Sequence, residues 1–146
     1  MVNQVFIMLS IMVISIILFI SNYYLESDEC VCGKNNCSQV SLKTKCSRGS
    51  LIIATILLTL SVGFFVFGSG RHISLNTNLV TMFFIVLGIT LITLNSIIIN
   101  VSNKNENCSQ SKKGGIIGLI TGILLVLFNG GIIIGNNIKK AEEIAV

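Results

Sequence analysis

Four stretches of the chain carry no charged residue, 1–25, 49–70, 72–103 and 114–138, and each is dominated by Ile, Leu, Val and Phe. Helical residues rise 1.5 Å each, so about 20 apolar residues cover the ~30 Å hydrocarbon core of a bilayer. The pattern predicts four transmembrane helices, near 5–25, 51–70, 79–100 and 116–135. The stretches lack the polar stripe that a helix of a water-soluble bundle shows. The expected fold is an all-α membrane protein, one four-span domain over 1–146, with loops at 26–50 and 101–115 and a tail at 136–146. The first span has no Lys or Arg before it and no small-x-small site after it, so it reads as a retained helix and not as a signal peptide. Composition agrees: 11% of residues are charged, against about 25% in soluble domains.

Four crossings put both termini and the 71–78 turn on one face, and the 26–50 and 101–115 loops on the other. All five cysteines, Cys30, Cys32, Cys37, Cys46 and Cys108, fall on this second face. So do both copies of the tetrapeptide Asn-Cys-Ser-Gln, at 36–39 and 107–110. The spans after them align over Ile56-Leu57-Leu58 with Ile123-Leu124-Leu125, Gly63 with Gly130 and Gly68 with Gly135. This suggests two tandem helical hairpins related by an axis along the membrane normal. Cys37 and Cys108 would then be equivalent, and are expected to pair across that axis.

Four cysteines within 30–46 read first as a disulfide framework, because a polar loop cannot bury a core of its own. An odd count leaves one thiol over. Zinc fits poorly: the C-x-C-x4-C-x8-C spacing lacks a usual C-x2-C pair, and the one histidine, His72, lies on the opposite face. No metal site is expected. In layout the chain is similar to bacterial disulfide-bond oxidases and, more distantly, to vitamin K epoxide reductases. That resemblance implies a quinone and paired redox cysteines. The chain departs from it with Cys30-Val31-Cys32 in place of C-x-x-C, and with one cysteine in the second loop.

Seven of the ten Lys and Arg lie on the cysteine face, which the positive-inside rule turns toward the cytoplasm. Disulfides and the N-x-S sequons at Asn36, Asn100 and Asn107 point the other way. A large DNA virus with an internal membrane, assembled in the cytoplasm but oxidised by its own system, satisfies both.

The spans carry no charge and the chain no proline, which argues against proton relays and broken transport helices. Their polar and small residues read as packing. Gly114, Gly118 and Gly122 recur at four-residue spacing, followed by Gly131 and Gly135; Thr55, Thr59 and Gly63 repeat the spacing in span two. Asn95 and Asn129 lie at different depths, and each is expected to bond a neighbouring helix or chain. A channel lining at Asn129 is the sharper alternative. The tail is expected to prolong span four as a helix. Catalytic residues, cofactors and nucleic-acid binding are not expected. The reading is an architectural membrane subunit whose partners are the bilayer, other membrane or capsid-type subunits, or a second copy. The alternatives are a thiol–disulfide oxidoreductase and a small pore.

Overall fold

The computed structural model describes residues 4–26, 37–68, 77–104 and 108–145. They form four long helices, α1 (Gln4–Glu26), α2 (Cys37–Gly63), α3 (Thr77–Asn103) and α4 (Ser109–Ala145), with a π-helical turn at Phe64–Gly68 prolonging α2. All four are long and apolar enough to cross a membrane.

α1 and α3 match the expected spans within a few residues, whereas α2 and α4 begin earlier. Residues 37–50 and 109–115, assigned to loops from their polarity, are helical. The reason is where their polar side chains go. Lys43, Cys46, Ser47 and Ser50 are buried, and their spacing continues into the buried Ile53, Ala54, Leu57 and Ser61 along one face of α2. Leu42, beside Lys43, is 46% exposed, while Thr44, Lys45 and Arg48 are exposed too, so polar groups line both the inner and the outer face of this segment. α4 also runs on through the tail, as expected. Its 37 residues span about 55 Å, well beyond a ~30 Å hydrocarbon core.

The helices pack in the cyclic order α1, α2, α3, α4, with the α3–α4 contact the most extensive and α2–α3 the least of the four. Ser21 near the end of α1 meets Gly114 near the start of α4, and Phe6 meets Phe128 with ring centroids 6.2 Å apart, so these two helices run antiparallel. Gly49 against Leu94, and Gly118 against Asn95, set the same sense for α2–α3 and α3–α4. The interior holds one main apolar cluster, including Ile11, Leu18, Leu57, Phe84, Leu91 and Leu125, and a smaller one of Leu25, Cys46 and Ile98.

In lipid, apolar burial between helices gains little, so close packing and interhelical hydrogen bonds hold a bundle together. One such close crossing is α3 over α4. A Cβ built on Gly122 would lie 3.1 Å from the Gly88 carbonyl oxygen, and one on Gly88 would lie 3.1 Å from that of Gly122. Each backbone faces the other there, and glycine on both sides gives the close approach its room.

Candidate functional site

The end where α1 and α3 finish and α2 and α4 begin is the polar end of the bundle. Its buried groups come from all four helices. The Ser21 hydroxyl donates to the Gly114 carbonyl at 2.6 Å, tying α1 to α4. The ammonium of Lys43, only 4% exposed, donates to the Ser111 hydroxyl and links α2 to α4 across the bundle. Together with the packing of Gly115 against Ile98, these contacts set Asn22, Lys43, Ser102 and Ser111 at about one depth, one from each helix. All four are buried. The oxygens Asn22 Oδ1 and Ser102 Oγ have no hydrogen-bond partner among the described residues.

Below this layer lie Cys46 and Ser47, then Ser50 and Asn95. The side-chain amide of Asn95 sits over Gly118, and a Cβ there would fall inside van der Waals contact with its oxygen and both neighbouring atoms. Asn95 was expected to bond another helix. Its amide instead donates to Leu91 of its own helix at 2.9 Å, and Asn129 donates to Leu125 at 2.8 Å. A carbonyl one turn back is always within reach in a helix, whereas a partner on a neighbour has to be built. Asn129 is fully buried, with Oδ1 unpartnered among the described residues. Asn129→Leu should therefore leave stability unchanged or raise it by up to about 1 kcal/mol in denaturant titration, since it removes an unsatisfied acceptor.

The predicted glycine stripe divides in two. Gly114, Gly118 and Gly122 are buried against α1 or α3, and a Cβ on Gly114 would lie 2.8 Å from the Ser21 carbonyl oxygen. Gly131, Gly135 and Gly63 have nothing within 4 Å of where a Cβ would sit. Thr55 and Thr59 are exposed, and each donates to the carbonyl four residues back. The expected second contact face thus meets no helix among the described residues. Thr59 and Gly63 instead line an apolar pocket of about 450 Å³, walled by Phe64, Phe67, Phe83 and Phe84, at the opposite end of the bundle.

The cysteines also divide. Cys46, counted among the disulfide candidates, is instead a free buried thiol, carried into the interior by the inward face of α2 and packed with Leu25 and Ile98. Cys108 is 1% exposed and, unlike Cys46, is not a free thiol. Cys37 is the first residue of α2, and Cys30 and Cys32 lie outside the described residues. Both copies of the tetrapeptide therefore open a helix: Cys37 begins α2 and Cys108 immediately precedes α4, where its carbonyl accepts from the Lys112 amide at 3.0 Å.

Sequence reasoning missed Lys43, Ser21, Ser111 and Gly88. The signal for Lys43 was its place three, four and seven residues before Cys46, Ser47 and Ser50, all small and all on one helical face. Chemically the cluster pairs an ammonium with hydroxyls and amides, a set suited to fixing helices against one another. No protein-family model matches the chain, and no curated protein and no solved structure matches it either.

Proposed function

We propose that this protein is an architectural membrane subunit: a four-helix bundle locked at its cysteine end, which holds partner subunits in or at a bilayer. The observation that carries the reading is how the interior polar groups are used. Ser21, Lys43 and Ser111 cross-link helices, Asn95 fills the notch at Gly118, and Asn129 bonds its own helix. A pore lining would keep such groups facing a water path; here they are packed and fully or nearly fully buried.

The lock is completed, in this reading, by a disulfide between Cys37 and Cys108 that closes a cap over the polar end. Three things support the pairing. Cys46 is free, which leaves the cysteines of the first loop and the start of α2 as partners for Cys108. The Lys43–Ser111 bond draws the starts of α2 and α4 together. The cyclic order of the helices is the one that a two-fold relating α1–α2 to α3–α4 would give. An internal membrane of a large DNA virus remains the setting that reconciles oxidised loops with a basic face.

Alkylation of free thiols in intact membranes, followed by peptide mapping, tests this. A Cys37–Cys108 bond that survives mild reductant, with Cys46 alkylated after denaturation, is expected. A Cys108 bond that opens and re-forms with a quinone would instead make the protein a thiol oxidoreductase.

A further inference from the structure

We infer that the polar end of the bundle is a binding belt for anionic phospholipid headgroups; this rests on the membrane-embedded reading above and names its lipid partner. At this end Lys45, Arg48, Lys104, Lys112 and Lys113 are exposed, and Glu26 is the one exposed acid among the described residues there. Among the described residues the opposite end is balanced, with Lys139 and Lys140 beside Glu142 and Glu143, all exposed, and the sequence adds Arg71 to it. The loop segments outside the described residues add Asp28, Glu29, Lys34 and Glu106. Counting these and the buried Lys43, the polar end carries seven cations and four acids over the whole sequence.

The position of the cations identifies the partner. They are not on a projecting tail but in the N-terminal half of α2, near the start of α4 and on the residue after α3, where the helices pass out of their apolar stretches. Apolar side chains share the same outward surface: Leu42 is 46% exposed, Ile52 60% and Ile116 40%, and Tyr23 is 73% exposed at the end of α1. A surface that alternates aliphatic side chains, a tyrosine and long cations matches the boundary between acyl chains and headgroups, where Lys and Arg stems lie along the chains and their charges reach the phosphates. A soluble acidic protein would satisfy the charges but leave the aliphatic groups in water. Lipid satisfies both. Lys and Arg at such a boundary draw in anionic headgroups additively, and the cations sit on the diagonal pair α2 and α4 and just past α3, so they are spread around the bundle.

The test uses the full chain in mixed phosphatidylcholine–phosphatidylserine vesicles, gentle extraction, and native mass spectrometry of the lipids carried along. Phosphatidylserine should be retained several-fold above its bulk share at low salt, and less at high salt. The variant K45Q/R48Q/K112Q/K113Q should bring it to the bulk share, while K139Q/K140Q leaves it unchanged. Retention at the bulk share in the unaltered chain, or equal loss in both variants, overturns the inference. These outcomes are separate from partner binding, because a chain without lipid preference can still extract with its protein partners, and the reverse.

Discussion

Gly118→Val should be the most damaging single substitution on α4, lowering stability by about 3 kcal/mol or preventing assembly of the bundle. Overfilling a packed site commonly costs about 1–3 kcal/mol, and more where nothing can shift. Here the side chain in the way is Asn95, fully buried and held by the hydrogen bond its amide donates to the Leu91 carbonyl. Valine would drive Asn95 out of its notch and part α3 from α4, the most extensive contact in the bundle. Gly131→Val and Gly135→Val on the same helix should stay within about 0.5 kcal/mol of the parent, because open space surrounds both positions. Unfolding in mixed micelles with rising dodecyl sulfate measures all three. Equal losses at Gly118 and Gly135 would mean that the stripe acts through helix propensity and not through packing.

Lys43→Ala should have the second largest effect, a loss of about 2 kcal/mol, since a hydrogen bond from a charged group contributes about 1.5–3 kcal/mol and this one joins α2 to α4. A double-mutant cycle with Ser111→Ala should show coupling of about 1 kcal/mol or more. Lys45→Ala, two residues away and exposed, should change stability little. If Lys43 and Ser111 prove additive, the cross-brace between α2 and α4 contributes nothing, and the locked end loses its main support.

These two residues also show what could be read in the sequence. Gly118 was legible because glycines at four-residue spacing in a membrane helix make a groove, and the structure fills that groove at Gly114, Gly118 and Gly122. The same rule overreached at Gly131, Gly135 and the Thr55–Thr59–Gly63 row, because spacing reveals a smooth face but not whether a helix lies against it. Lys43 was illegible because a charge was taken to end the span. Charge-free windows locate the hydrocarbon core; they say nothing of a helix that continues past it with its polar groups turned inward. The four spans themselves were plain from the chain, since a bilayer tolerates few alternatives to a long apolar helix. Gly88 was missed for a simpler reason: it stands alone in α3, and its role exists only opposite Gly122.

The buried polar groups at the start of α2 connect the fold to the proposed role. A bundle cross-linked among its own helices at one end leaves its outer surface free of that task. Exposed apolar rows such as Val66, Phe67, Leu79 and Met82 are then free for lipid or for partner helices. The free thiol of Cys46 fits the same picture, since a small apolar group packed with Leu25 and Ile98 is a structural use of cysteine.

The most direct test of the architectural reading is the native mass of the protein extracted gently from the membrane in which it is made. The account predicts a complex heavier than the 15.8 kDa chain, with the same partners in fixed integer ratio from one preparation to the next. A chain that emerges alone, and that conducts ions or cycles a dithiol against quinone when reconstituted, would contradict it.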